Sequence, residues 1–153
     1  MESQEFTPQD FHDPFLDGNE VIEKAIADYY QESSNDKLFA VVQAIYQRKH
    51  ENGHFLIPVM TQETESGPEF TLHTIQTQDG QQWLVAFTSE AEFEKGQKSQ
   101  VIGNFIDETI RMCMESSDAP GFIINPWGQS FLLNRDIMQF MLDTDARSNS
   151  NEN

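Results

Sequence analysis

Cysteine and positive charge are the scarcest features of this chain. A single cysteine, Cys113, among 153 residues leaves no internal disulfide framework and suits a reducing compartment. Nine lysines and arginines face 26 acids, for a formal charge of −17. Such a surface repels phosphate backbones and anionic lipid headgroups, which argues against nucleic-acid and membrane-surface binding and suits a basic protein partner. No apolar run approaches the ~20 residues of a membrane span. The opening MESQEFTPQD lacks the basic start and apolar stretch of a signal peptide, so a cytoplasmic location is expected. Also missing are a Gly-rich phosphate loop, a Cys-pair zinc site and a basic–aromatic patch; no cofactor is expected.

What the chain does have is enough apolar material for one core. Hydrophobic residues make up 37% and phenylalanine is common, at 12 copies, which fits a globular domain carrying polar ends. Residues 1–18, with Pro8, Pro14 and Gly18, show neither helical nor strand period and read as a loose arm. Phe6, Phe11, Phe15 and Leu16 would pin that arm to the domain or serve as a linear motif. Asn19 reads as the N-cap of a first helix, with Val21, Ile22, Ala25, Ile26 and Tyr29 on its buried face. A second helix follows over 36–50, with Leu38, Val41, Val42 and Ile45 repeating the pattern, and Gly53 as its stop.

Residues 54–60 read as a buried strand. Pro58 cannot donate to a ladder and so predicts an edge or a bulge. A polar turn over 63–69 leads to a strand over 70–77. Asp79-Gly80 then signals a hairpin returning over 82–88. Ser89 and Glu92 form a capping-box pattern for a short helix over 90–95, and a longer helix is expected over 100–116, with Ile102, Phe105, Ile106, Ile110 and Cys113 as its stripe. A strand over 122–124, a turn at Pro126-Trp127-Gly128, a strand over 130–133 and a helix capped by Asn134 complete the order ααβββααββα. The reading is a single α+β domain over 19–142, a mixed sheet of about five strands with helices packed on it, and a disordered tail over 143–153.

Two segments carry candidate chemistry. His50-Glu51-Asn52-Gly53-His54 spells H-E-x-x-H, which in a zinc hydrolase needs one unbroken helix through both histidines with the glutamate as general base. Gly53 ends the helix before His54, and no third ligand is assigned, so a zinc-dependent hydrolase using His50, Glu51 and His54 is the alternative reading only. Cys113 on an apolar stripe reads as a buried thiol, and Ser89 as a cap, since the glycines of a nucleophile elbow are missing around it. No catalytic residue is assigned. The second segment runs over 121–131, where Asn125-Pro126-Trp127-Gly128 specifies a tight turn. Trp127 folds back over the core or is presented to a partner, tryptophan being enriched at binding hot spots.

Taken in order, the 19–30 helix, Phe55-Leu56-Ile57-Pro58-Val59, Trp83-Leu84-Val85-Ala86-Phe87-Thr88-Ser89 with Phe93, and Gly121-Phe122-Ile123-Ile124-Asn125-Pro126-Trp127-Gly128 resemble the N-terminal domain of the SseB family, over roughly residues 19–142. The resemblance implies a bacterial protein known by an enhanced serine-sensitivity phenotype, with no established catalytic residues to transfer. Phe87, Thr88, Ser89, Asn125, Pro126, Trp127 and Gly128 match its recurrent motifs and form the candidate binding surface. The expected function is a non-enzymatic protein-binding or regulatory module; a structural or self-associating role is a third reading.

Overall fold

The computed structural model describes residues 13–96 and 99–151. Helix α1 (Glu20–Gln31) and helix α2 (Asn35–His50) form as their periodicity dictates, burying Ile22 and Ile26 on one and Val41, Val42 and Ile45 on the other. Ser34 caps α2 by accepting the Lys37 N–H at 3.2 Å. Arg48, Lys49 and His50 fill its last turn, where cations oppose the helix dipole. The helix ends at His50 because Asn52 takes a left-handed φ of 62°. The Gly53 N–H then turns back to the Arg48 carbonyl at 2.9 Å, a C-terminal motif that satisfies an otherwise orphaned acceptor.

Seven strands follow among the described residues: β1 (His54–Thr64), β2 (Gly67–Leu72), β3 (Thr74–Gln76), β4 (Gln82–Ala86), β5 (Gln100–Phe105), β6 (Gly121–Ile124) and β7 (Phe131–Asn134). They are interrupted by α3 (Glu90–Glu94) and α4 (Ile106–Ser116) and closed by α5 (Arg135–Asn151). This is the expected α+β class, but the strands divide between two sheets. One is antiparallel, in the order β2-β1-β5; the other is mixed, in the order β3-β4-β6-β7, with β4 and β6 parallel. A reciprocal backbone bridge joins them, Leu56 and Phe87 exchanging N–H···O bonds of 2.9 Å.

Alternation along the strands sorts the core into two layers, as period-2 side-chain placement requires. Phe55, Ile57, Leu84, Ala86, Phe122 and Ile124 point into the large core beneath α1, α2, α4 and α5. Leu56, Val85 and Phe87 point the other way and pack with Leu16 and Phe93.

Five sequence expectations are corrected. Residues 100–105 are strand β5, not helix. Val101 and Ile102 favour extended backbone, Gly103 weakens a helix there, and the ladder to β1, pairing Ile57 with Ile102 and His54 with Phe105, decides it. Ile102 and Phe105 consequently lie exposed (46% and 37%) instead of forming a stripe. The expected 63–69 turn shrinks to Glu65 and Ser66 between β1 and β2. The strand expected over 70–77 breaks at His73, its halves going to different sheets.

Pro58 sits in the middle strand of its sheet, not at an edge, but its missing donor is placed harmlessly. The β1–β2 ladder stops at Val59–Leu72, and Pro58 uses only its carbonyl, accepting the His73 N–H at 3.3 Å. Finally, the chain from residue 143 continues α5 as far as Asn151. Asp145 is drawn inward to Lys49, Tyr46 and His50 of α2, which anchors that turn. In the arm, Phe6 and Phe11 lie outside the described residues, whereas Pro14–Leu16 form a short 3-10 turn with Leu16 buried.

Candidate functional site

The 125–128 turn is built on buried hydrogen bonds. Asn125 adopts a left-handed φ of 56°, a conformation that asparagine tolerates better than most residues. Its N–H reaches the Ala86 carbonyl at 2.9 Å, and its own carbonyl accepts the Gly128 N–H at 3.1 Å. The side-chain amide locks onto Thr88: Oδ1 accepts the Thr88 N–H and Nδ2 donates to Thr88 Oγ1, both at 3.0 Å. The Thr88 hydroxyl in turn donates to Glu23 Oε2 at 2.5 Å.

The network extends inward through Asn19, which is 1% exposed. Expected as a helix cap, Asn19 makes no side-chain cap bond. Its Nδ2 donates to the carbonyls of His54 and Thr88 at 2.8 and 2.9 Å, and its Oδ1 accepts from Arg48 Nε at 2.8 Å. Arg48 also reaches the Phe15 carbonyl and Glu51, both at 2.9 Å. Buried polar groups of this kind cost free energy unless paired, and here the pairings of Asn19 and Thr88 tie α1, α2 and β1 to the turn.

The candidate surface therefore splits. Phe87, Thr88 and Asn125 are all buried, which corrects their assignment as surface; the polar atoms of Thr88 and Asn125 are consumed in holding the turn, and the Phe87 ring is met only from the cavity it lines. Ser89 is spent capping α3, accepting the Glu92 N–H at 3.2 Å. Pro126 is half-buried, while Trp127 (43%) and Gly128 are exposed. The Trp127 indole lies flat against Gly96, so closely that a Cβ there would collide with the ring.

Beneath Trp127 is a cavity of ≈ 200 Å³ lined by Pro58, His73, Ile75, Phe87 and Phe93. Phe87 and Phe93 meet edge to face, with centroids 5.4 Å apart at 79°. Nε2 of His73 and Oε1 of Glu92 are each buried without a hydrogen-bond partner among the described residues. Sequence reasoning missed His73 as a cavity residue because the strand break that aims it is set by Pro58, which faces it across the ladder.

The two histidines of H-E-x-x-H are drawn to different carboxylates. His50 Nε2 bonds Asp145 Oδ1 at 2.8 Å, and His54 Nδ1 bonds Asp13 Oδ2 at 2.7 Å. The His54 ring is stacked on Phe15 and set at right angles to Phe105, at 4.7 Å in both cases. Glu51 lies at the solvent edge, where its hydrogen bonds to Arg48 and Gln47 hold its carboxyl below the usual range. Among the described residues, no group of three or more His, Cys, Asp or Glu is placed to hold a metal ion. Cys113 is buried, and that burial pushes its thiol up against the opposing pull of Arg135. No helix among the described residues is long and apolar enough to cross a membrane.

Fold and site together define an α+β domain of two bridged sheets, with an exposed tryptophan held on a hydrogen-bonded turn above a small aromatic cavity. The chain belongs to the SseB family: the model of the SseB protein N-terminal domain matches residues 22–137. No curated protein and no solved structure matches it.

Proposed function

We propose that this chain is a non-enzymatic, cytoplasmic protein-binding module that engages its partner through the Trp127 turn. The observation carrying this reading is the combination of a 43% exposed indole with a turn fixed by the Asn125–Thr88 hydrogen bonds. An aromatic ring already immobilised loses little entropy on binding, and such anchors dominate interface energetics. The polar groups near the turn support a structural over a catalytic role, since the Thr88 hydroxyl, the Asn125 amide and the Ser89 hydroxyl are all engaged in backbone or buried bonds. The −17 charge favours a basic partner through long-range steering.

The test is site-specific photocrosslinking from position 127 in cells, with exposed Leu132 as control, followed by purification of the captured protein and titration against the wild type and Trp127→Ala. A specific adduct from 127 alone, with binding weakened about thirtyfold or more and thermal melting unchanged, supports the reading. Unchanged affinity in the variant, or its unfolding, refutes it.

A further inference from the structure

The cavity beneath Trp127 is small. Pockets for nucleotides and drug-sized ligands run to about 300–1,000 Å³, so ≈ 200 Å³ suits a single side chain. Its walls are unusual for so acidic a protein because three aromatic rings converge on it. Phe87 and Phe93 present perpendicular planes, and Trp127 closes the rim. Ring faces carry partial negative charge and attract cations held within about 6 Å.

Acids accompany the rings. Phe93 stands in a helix reading Glu90-Ala91-Glu92-Phe93-Glu94. Glu92 lies directly beneath Gly128, where a Cβ would come within 2.7 Å of its Oε1. That oxygen is buried without a partner among the described residues, and Lys95 is tied to the other carboxylate oxygen at 2.8 Å. His73 is part of the cavity wall, and its Nε2 is buried without a partner among the described residues.

We propose that the cavity is an aromatic cage for the guanidinium of one arginine on the partner protein. This rests on the protein-binding reading above and names the chemistry that the turn recognises. Stacking of the planar guanidinium on Trp127 uses its flat, weakly hydrated face, which costs less to desolvate than an ammonium. The aliphatic stem covers Phe87 and Phe93 where they line the cavity. Charge complementarity selects arginine over a neutral side chain of similar size, since the whole molecule carries −17.

The test uses capped pentapeptides Gly-Gly-Xaa-Gly-Gly, with Xaa arginine, citrulline, lysine or tyrosine, titrated into the full chain while the indole N–H resonances of Trp83 and Trp127 are followed by NMR. The arginine peptide is expected to bind in the range of about millimolar and to move the Trp127 signal but not that of buried Trp83. Citrulline, its uncharged isostere, should bind about tenfold more weakly, with lysine in between. Trp127→Leu should abolish the effect, and Gly96→Ala, which pushes the indole aside without removing it, should weaken it.

Equal binding of citrulline, tightest binding of tyrosine, or no movement of the Trp127 signal with any peptide overturns the cage. If the cage fails while Trp127→Ala still weakens the intact partner, the protein-binding reading survives alone. If the arginine peptide binds but Trp127→Ala leaves the partner's affinity intact, the cage stands and that reading falls.

Discussion

At the scale of single residues, the turn separates side chains that hold from side chains that are offered. Asn125→Ala removes a pair of buried hydrogen bonds to Thr88 and forces alanine into a φ near 56°. The expected loss is about 2–4 kcal/mol, read from the midpoint of urea unfolding. Asn125→Gly should recover about 1 kcal/mol of that, because glycine meets the backbone demand without supplying the amide. Trp127→Ala should change stability by less than about 1 kcal/mol. The sequence placed all of these residues on one surface, since small polar residues beside apolar runs look alike whether buried or exposed. What buries Thr88 and Asn125 is a bond between positions 37 apart, and no local pattern records it. Asn19 was legible as polar and as helix-adjacent, but its true partners lie 35 and 69 positions away.

Elements reveal where local pattern and long-range pairing compete. Helices α1, α2 and α4 follow their three-and-four spacing, and the Asp79-Gly80 turn does return β3 to β4. Strand β5 was not legible as such because Ile102, Phe105 and Ile106 also satisfy helical spacing; only the pairing with β1 decides between the two. The end of α5 was hidden for a related reason. Its polar composition resembles a tail until Asp145 is seen against Lys49, whose side chain is 3% exposed and is also held by Asp107 at 3.0 Å.

Burial pushes the Asp145 carboxyl up, but the hydrogen bonds and charge of Lys49, with Tyr46 and His50, outweigh it and hold the group below the usual range. Asp107 is lowered in the same way, burial again opposing Lys49 and Arg111. A carboxylate depressed in the folded state contributes stability that is fully present above its unfolded value of about 4 and is lost as pH falls through the folded one. Asp145→Asn should therefore cost about 1.5–3 kcal/mol at pH 7, and unfolding free energy measured below pH 4 should fall less steeply than in the wild type. Ending the chain after Leu142 should be at least as damaging by the same measurement, whereas a disordered tail could be removed without effect.

Over the whole molecule, 26 acids against nine bases set a background of self-repulsion that no single pair relieves. Screening weakens exposed charge–charge terms first, over a length of about 10 Å at 0.1 M. Raising NaCl from about 0.02 to 0.5 M should therefore increase the melting temperature by several degrees, followed by circular dichroism. A fall would mean that ion pairs such as those of Lys49 outweigh the global term. The α+β class was readable from the order of elements; the division into two sheets was not, because it depends on one strand changing neighbours along its length.

That change of neighbours also has a history in time. The β1–β2 hairpin closes through a two-residue turn, and hairpins of this kind assemble in about 1–10 μs, long before β4 and β5 can arrive from further along the chain. Zipping from the turn towards His54 must halt at Pro58, which has no proton to give His73, so Leu56 stays available for Phe87. A residue with an N–H at 58 would remove that halt. In Pro58→Val, the early hairpin should overrun into the ground that β4 later needs, and stopped-flow refolding should show a rollover at low denaturant that the wild type lacks. The proline in the middle of a strand thus ends the hairpin where further pairing would cost the second sheet its link to the first.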